Sequence, residues 1–237
     1  MRRLEIDVRV DPAGLERVPR QGPLVFVANH PFGIVDGLAM GSVVERARDD
    51  FLILTNSVLL RAPEIRRFVL PVDFAGTREA LATNVESRAR ARAHLAQGGS
   101  IVIFPAGAMS TAPDRLGRRP AVDIRWPPFV AQLLQKSQAP VVPVYFAGQN
   151  SRLFQIVSHL NQTARLALLF NEVRNKIGMR LHVGVGAPVA WDELAPLGDR
   201  QAIADELMRR TYALGAAIPG EPKRLGGMVD VFDGGGR

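Results

Sequence analysis

The sequence contains no cysteine, which excludes disulfide bonds and thiolate metal sites. Aromatic residues make up only 6% of the chain, so few side chains are available for stacking on nucleic acid bases. Zinc-finger, helix-turn-helix, RNA-recognition, Walker and dinucleotide-binding patterns are absent from the sequence. The longest apolar runs, such as residues 51–60, are interrupted and too short to span a bilayer. We therefore expect a protein that is soluble or lies on a membrane surface.

Lysine is scarce as well, because only three of the 30 basic residues are lysine and the others are arginine. The formal net charge of +7 indicates a polyanionic partner, either nucleic acid or anionic lipid. Part of this charge is explained by GC-rich coding, which favours arginine without selection for a ligand. Since no nucleic-acid-binding motif accompanies the charge, we predict an anionic membrane surface as a partner and no nucleic acid.

The remaining composition is that of an ordinary folded protein. The chain has 237 residues, of which 47% are hydrophobic and 22% charged, and no internal linker divides it. Glycines cluster towards the end of the sequence. We predict one domain over residues 1–217 and a loosely ordered tail over residues 218–237.

Short apolar runs alternate along the chain with helical patterns. Four of the runs are dense enough in Val, Ile, Leu and Phe to be buried on both faces, as in a largely parallel sheet. This alternation predicts an α/β fold, with a single domain, a mostly parallel central sheet and helices on both faces. The predicted strands are 24–28, 51–54, 101–104, 141–146 and 181–185, and the predicted helices are 37–48, 78–97, 129–137, 165–176 and 199–214. In the fourth helix, Leu166, Leu169, Phe170 and Val173 recur at the spacing of an amphipathic helix.

One of the four histidines stands in the turn after the first predicted strand, six residues before Asp36. Because Pro31 and Gly33 interrupt the strand pattern, we expect the chain to fold back before a helix begins near Asp36. Asp36 could then hold the Nδ1–H of His30 and leave Nε2 free to accept a proton. Alternatively, Asp36 caps the helix and His30 is a polar loop residue. Spacing alone does not separate the two.

Two further turns follow predicted strands, at the positions where open α/β sheets usually place ligands. They are residues 104–110 and residues 142–151. A strand that ends in Pro-x-Gly lets backbone N–H groups approach a ligand and stabilise an oxyanion. A plain strand-to-loop turn explains the same pattern.

The other three histidines, His94, His159 and His182, are predicted to be structural, and no two of them show metal-ligand spacing. We therefore predict no metal site. Ser110 lacks the flanking glycines of a nucleophile elbow, which argues against a serine lipase.

Taken in order, three segments resemble the lysophospholipid and glycerophospholipid acyltransferase superfamily. The likeness is strongest to its bacterial hemolysin-like branch, which is similar to lyso-ornithine-lipid acyltransferases, and covers residues 24–188. The segments are Asn29-His30-Pro31-Phe32-Gly33 with Asp36, then Phe104-Pro105-Ala106-Gly107, then Val142-Pro143-Val144-Tyr145-Phe146. The resemblance implies a glycerolipid-acyltransferase-like fold and transfer of a fatty acyl group from a thioester to a hydroxyl of a lyso-lipid. Acyl-CoA or acyl carrier protein (acyl-ACP) would be the co-substrate, with no other cofactor.

The same resemblance assigns roles to individual residues. It implies that His30 is the general base and that Asp36 orients it, as in a catalytic triad with the substrate hydroxyl in place of the serine. The superfamily also has a second motif, which carries an arginine and lies in sequence between the histidine segment and Phe104. Arg67 and Arg78 are both candidates for this arginine. The other residues implied to bind substrate are Asn29, Phe104, Pro105, Gly107, Ala108 and Ser110.

The chain departs from the superfamily's usual pattern in two places. Five residues rather than four separate His30 from Asp36, a spacing that Gly33 could absorb and that the hemolysin-like branch shares. The segment that starts at Phe104 corresponds to the superfamily's third motif. In it, Ala106 replaces a glutamate and Met109 replaces an arginine that would bind a phosphate. We therefore expect an acceptor without a phosphomonoester, such as a lyso-aminolipid. The altered motif also permits an alternative function, a non-catalytic lipid- or acyl-carrier-binding protein on the same fold.

Residues 57–70 combine apolar side chains with Arg61, Arg66 and Arg67, a mixture suited to the headgroup boundary of a membrane. An arginine-edged core helix explains the pattern equally well. We predict a cytoplasmic protein that is peripheral on the inner face of the cell membrane.

Overall fold

The computed structural model describes residues 4–221, which fold around one seven-stranded sheet. The strands are β1 (Asp7–Val10), β2 (Leu24–Ala28), β3 (Phe51–Asn56), β4 (Val69–Val72), β5 (Ser100–Ile103), β6 (Val141–Phe146) and β7 (Arg180–Val185). Their order in the sheet is β1-β7-β6-β2-β5-β3-β4. Every neighbouring pair is parallel except β6 and β7. The predicted α/β fold with a mostly parallel sheet is confirmed.

Helices cover both faces of this sheet. They are α1 (Pro12–Glu16), α2 (Ile34–Val44), α3 (Arg78–Ala96), α4 (Phe129–Ser137), α5 (Arg152–Ser158), α6 (Gln162–Asn175), α7 (Trp191–Leu194) and α8 (Arg200–Ala213). All of β2 is buried because its side chains alternate between two cores. Val25 and Val27 pack in the core that includes α3, α4 and α8, whereas Leu24, Phe26 and Ala28 pack in the core that includes α2.

Strands β1 and β4, which the sequence pattern did not predict, are the two edge strands of the sheet. Both have only four residues. In β4, Pro71 argues against a strand, and in β1 the alternation of charged and apolar residues is only four residues long, the shortest that indicates a strand. The pattern did not predict the short helices α1, α5 and α7 either. The first turn of α2 lies earlier than predicted, at Ile34 rather than at position 37.

The segment at residues 57–70 forms two short 3-10 turns, Ser57–Arg61 and Arg66–Phe68, followed by the start of β4. The ring of Phe68 stacks on Phe51 at a centroid distance of 4.9 Å. The arginine-edged core helix considered for this segment is therefore wrong. Within residues 4–221, no helix combines the length and the apolarity needed to cross a membrane. Residues 222–237 of the predicted tail lie outside the described residues, and the domain boundary stays a prediction.

Candidate active site

Two of the motif segments follow the strands β2 and β5, and the third, residues 142–146, lies within the neighbouring strand β6. β2 lies between β5 and β6 and is parallel to both, so the carboxyl ends of these strands meet at one edge of the sheet. His30 follows β2, Pro105 follows β5 and Ala147 follows β6. The fold therefore brings segments that are distant in sequence to the edge where open α/β sheets bind ligands.

A glycine turn connects β2 to α2. Gly33, the residue before α2, has a φ of +82°, a conformation that glycine adopts without the strain that a side chain would cause. This turn reverses the chain between His30 and Asp36, which agrees with the expectation that Gly33 absorbs the extra residue.

The Nδ1 of His30 lies 3.0 Å from Oδ2 of Asp36, whose side chain is fully buried. The same oxygen accepts hydrogen bonds from the backbone N–H groups of Phe32, at 2.7 Å, and Gly33, at 2.8 Å. The imidazole approaches this oxygen without the alignment of a linear hydrogen bond. One carboxylate oxygen therefore both caps the first turn of α2 and contacts the histidine, so the two readings left open by the sequence are compatible.

The other side of the imidazole faces outwards. The side chain of His30 is 20% exposed, whereas its Nδ1 is buried and forms no aligned hydrogen bond within residues 4–221. The ring of Phe104 packs against the imidazole at a centroid distance of 4.5 Å. His30 is thus held on its Nδ1 side and by an aromatic ring, and its Nε2 is available to a substrate.

A second buried carboxylate, which the sequence analysis missed, supports the backbone of His30. Oδ1 of Asp123 accepts hydrogen bonds from the His30 N–H at 3.2 Å and from the Ser110 hydroxyl at 2.5 Å. Its Oδ2 accepts a hydrogen bond from the indole N–H of Trp126 at 2.9 Å. Burial raises the pKa of Asp123, while these hydrogen bonds act in the opposite direction. The only sequence signal was an acidic residue between two apolar ones, Val122 and Ile124.

The third motif forms a turn beside the histidine. The backbone N–H of Ser110 donates to the carbonyl of His30 at 2.8 Å, and that of Gly107 donates to the carbonyl of Phe104 at 3.0 Å. Pro105 is buried, whereas Gly107, with a φ of +66°, and Ala108 are exposed. The turn therefore exposes Gly107 and Ala108 a few residues before Ser110, which hydrogen-bonds to His30. The substrate-binding roles of these residues stay predictions.

Asn29 is buried, and its amide bridges β2 and β6. Its Nδ2 donates to the carbonyl of Phe146 at 3.0 Å, and its Oδ1 accepts from the N–H of Phe146 at 2.7 Å. A contact with substrate would have to compete with these two hydrogen bonds.

The two arginine candidates for the second motif lie at different edges of the sheet. Arg67 precedes β4, and the neighbouring Phe68 packs on the first residue of β3, so Arg67 lies at the amino edge. The structure does not bring Arg67 to the histidine turn. Arg78 follows β4 as the first residue of α3, on the same edge as His30. Both side chains are exposed.

Helix α6 closes one side of the site, which the sequence did not predict. Nη2 of Arg165 donates to the carbonyl of Met109 at 2.9 Å, and burial lowers the pKa of this guanidinium. The Nζ of Lys176 lies 5.2 Å from the ring centroid of Phe32. A Cβ at Gly33 would lie 3.2 Å from Leu169. The helix thus contacts both the histidine turn and the third motif.

The remaining histidines have other environments. Nε2 of His94 lies 2.5 Å from the carbonyl of Asp50, and Nε2 of His159 lies 2.8 Å from that of Ala112. His182 lies on β7. Among the described residues, no group of three or more histidine, aspartate and glutamate side chains is arranged to hold a metal ion.

A sequence model of the family described as "Acyltransferase" matches residues 5–219 of the chain. Two similar proteins are both named lyso-glycine lipid O-acyltransferase. That of Bacteroides thetaiotaomicron is 27% identical over 194 residues, 78% of this chain and 68% of the relative. That of Phocaeicola vulgatus is 26% identical over 193 residues, 78% of this chain and 66% of the relative. The chain therefore spans about two thirds of the length of each relative.

These likenesses confirm the resemblance to lyso-lipid acyltransferases and the prediction that the protein is an acyltransferase enzyme. The family match contains all three motif segments together with the strands that carry them. The chain belongs to the acyltransferase family.

Proposed function

We propose that this protein transfers a fatty acyl group from an acyl thioester to a hydroxyl of a lyso-lipid, with His30 as the general base. The observation that carries the proposal is the contact of Nδ1 with the buried carboxylate of Asp36, 3.0 Å away, on a ring whose Nε2 is available. This arrangement supports one tautomer of the imidazole, with the proton on Nδ1 and the lone pair on Nε2.

In the proposed reaction, Nε2 of His30 accepts the proton of the acceptor hydroxyl while its oxygen bonds to the thioester carbonyl carbon. The tetrahedral intermediate collapses, the carbon–sulfur bond breaks, and the thiolate takes the proton from the imidazolium. Asp36 stabilises the imidazolium between these steps. A base of this kind contributes about 10² to 10⁴-fold in rate.

The negative oxygen of the intermediate needs a hydrogen-bond donor. The N–H groups of Phe32 and Gly33 already donate to Asp36, and that of Gly107 donates to Phe104. We assign this role to the backbone N–H of Ala108, because the residue is exposed and its N–H has no backbone acceptor within residues 4–221. A donor in this position contributes roughly 10²-fold or more.

The acceptor we propose is a lyso-lipid without a phosphomonoester, such as a lyso-aminolipid. Met109 and Ala106 occupy positions where the superfamily usually has charged residues. The names of the two relatives, which refer to a lyso-glycine lipid, support the same class. The donor is acyl-CoA or acyl-ACP, and the protein acts as a peripheral protein at the inner face of the cell membrane.

The test is an acyl-transfer assay with radiolabelled acyl-CoA and acyl-ACP. The acceptors are lyso-glycine lipid, lyso-ornithine lipid and lysophosphatidate, each dispersed in detergent. We expect turnover of a lyso-aminolipid and a loss of about 10²-fold or more in His30→Ala. His182→Ala is the matched control, because His182 lies on β7 and is assigned no role in the chemistry.

Turnover that survives His30→Ala contradicts the mechanism. Activity with lysophosphatidate but with neither aminolipid contradicts the proposed acceptor. Tight lipid binding without turnover of any acceptor supports the alternative, a non-catalytic lipid- or acyl-carrier-binding protein.

A further inference from the structure

Helix α6 buries two charged side chains and exposes two large apolar ones. Its inner side carries Arg165 and Glu172, which are both buried. Its outer side carries Leu166 and Phe170, which are 58% and 75% exposed. A surface helix normally buries its apolar side and exposes its charges. Of the four residues in the amphipathic pattern, Leu169 and Val173 are half-buried and Val173 packs against the core, whereas Leu166 and Phe170 face away from it.

The exposed apolar side chains continue into α5 and the turn between the two helices. We call this set the hairpin surface, and its members are Leu153, Leu160, Leu166, Phe170 and Ile177. Leu166 and Phe170 are four residues apart and therefore share one side of α6. Five large apolar side chains on one helical hairpin are more than the single exposed residues found on most protein surfaces.

The charge on the same hairpin is positive. Arg152 and Arg174 are exposed, and Arg174 follows Phe170 by four residues on α6. Glu172 is the only acidic residue between positions 151 and 178. Its carboxylate is buried and accepts hydrogen bonds from the N–H and the hydroxyl of Ser151, at 2.9 and 2.5 Å. The hairpin thus presents apolar side chains and cations without an exposed carboxylate.

We propose that the hairpin surface docks on an anionic lipid bilayer and inserts its apolar side chains at the headgroup boundary. Apolar side chains flanked by arginine are the composition that binds such an interface. The inner side of α6 contacts Met109 and Phe32 next to His30. A bilayer on the outer side would therefore place the site close to its lipids. The choice of a lipid surface, rather than another anionic partner, rests on the proposed lyso-lipid acceptor.

The first experiment measures co-sedimentation with vesicles of phosphatidylcholine, with and without phosphatidylglycerol. We expect Leu166→Ser/Phe170→Ser to weaken binding about ten-fold or more, because two apolar side chains no longer enter the interface. Arg174→Gln should weaken binding about five-fold on the anionic vesicles only. The matched control is Leu81→Ser/Val85→Ser, since these residues are 62% and 57% exposed, four residues apart, on α3.

The second experiment uses the absence of native cysteine. A single cysteine in Phe170→Cys carries an environment-sensitive fluorophore, and Leu81→Cys provides the control. The label at position 170 should shift to the blue and brighten on anionic vesicles, whereas the label at position 81 should not. A silent label at position 170, or wild-type vesicle binding by Leu166→Ser/Phe170→Ser, overturns the proposal.

Two other occupants of this surface have distinct signatures that also overturn the proposal. If a second copy of the chain occupies the surface, the wild type is a dimer. The variant Leu166→Ser/Phe170→Ser is then a monomer whose vesicle binding is unchanged. If an acyl carrier protein occupies the surface, Leu166→Ser/Phe170→Ser loses turnover with acyl-ACP in detergent but still binds vesicles.

Failure of this proposal is distinguishable from failure of the proposed function, because vesicle binding needs no turnover. Binding through the hairpin surface without acylation of any lyso-lipid supports docking and contradicts the function. Turnover of detergent-dispersed acceptor without vesicle binding by the wild-type protein contradicts docking alone.

Discussion

The sulfur of Met109 occupies the space beside Gly33, since a Cβ at Gly33 would lie 2.6 Å from Sδ of Met109. Gly33 belongs to the lengthened histidine turn, and Met109 stands where the superfamily usually has an arginine. The two departures from the usual pattern are therefore in contact. An uncharged thioether fits beside Gly33 and Leu169, where a guanidinium would lose part of its hydration.

We expect Gly33→Ala to destabilise the protein by more than about 1 kcal/mol, because Gly33 has a φ of +82° and a ψ of −106°, outside the regions that alanine adopts without strain. The additional loss comes from the clash with Met109. Gly178→Ala is a control for a positive φ without a clash, because Gly178 has a φ of +75° and nothing within 4 Å of an added Cβ. Urea unfolding gives the free energies. Met109→Ala in the Gly33→Ala background should recover the stability that the clash removes. Equal losses of unfolding free energy in Gly33→Ala and Gly178→Ala would refute the contact.

Asp36→Asn removes the charge that faces His30 but keeps an oxygen for the N–H groups of Phe32 and Gly33. We expect kcat to fall about 10² to 10⁴-fold, since the amide no longer stabilises the imidazolium. The melting temperature should change less than in Asp36→Ala, which also loses the cap, at about 1 kcal/mol. Steady-state kinetics and thermal unfolding provide the two measurements. Wild-type kcat in Asp36→Asn would remove Asp36 from the mechanism.

Asp123 positions the backbone of His30 rather than touching the substrate. Both carboxylate oxygens of Asp123 accept hydrogen bonds, from Ser110, Trp126 and His30. In Asp123→Asn, the NH₂ group of the amide replaces one of these oxygens and faces a donor. We expect a loss of about 1–3 kcal/mol in the free energy of unfolding, because a buried donor is left unpaired. If the histidine is displaced, kcat falls while KM for the acceptor stays near its wild-type value.

Ser110→Ala provides a graded comparison with Asp123→Asn, since it removes a single hydrogen bond to the same carboxylate. Its unfolding free energy should decrease by about 1 kcal/mol, with a smaller fall in kcat. A destabilised Asp123→Asn with unchanged kcat would restrict Asp123 to a structural role.

Glu206 provides a test of stability against pH. Hydrogen bonds from Arg209 and then Arg210 lower the pKa of Glu206 from its ordinary value of 4.5 to about 2. A lowered carboxyl pKa stabilises the fold above pH 4.5, and this contribution is lost as the pH falls towards 2. The pair with Arg209 is partly exposed, so we expect a contribution below about 1 kcal/mol.

The measurement compares the wild type with Glu206→Gln by urea unfolding over this pH range. The difference in unfolding free energy should be largest near neutral pH, shrink as Glu206 is protonated, and decrease with added salt. A difference that stays constant from neutral pH to pH 3 would contradict the assignment.

The sequence was most informative where a local pattern determines the structure. The strand before the histidine turn, β2, and the strand that holds residues 142–146, β6, have the predicted bounds, because continuous apolar runs mark strands buried on both faces. Helix α3 ends next to Gly98-Gly99, a stop signal that acts within a few residues.

Contacts between distant segments were less accessible. His30 and Asp123 are 93 positions apart, and no local pattern specifies that their segments meet. Periodicity showed that Leu166 and Phe170 share a side of α6, but it does not determine which side of a helix faces the core. Arg165 was missed for the same reason, since its burial depends on the packing of the whole helix.

The amide of Asn29 acts as a final rung between β2 and β6, beyond the last residue pair of the strands. Fraying of the sheet at this end has to break both of its hydrogen bonds to Phe146. Since Asn29 is covalently adjacent to His30, separation of β2 and β6 at this end also displaces the imidazole. The proposed base therefore keeps its position for as long as β2 and β6 remain paired.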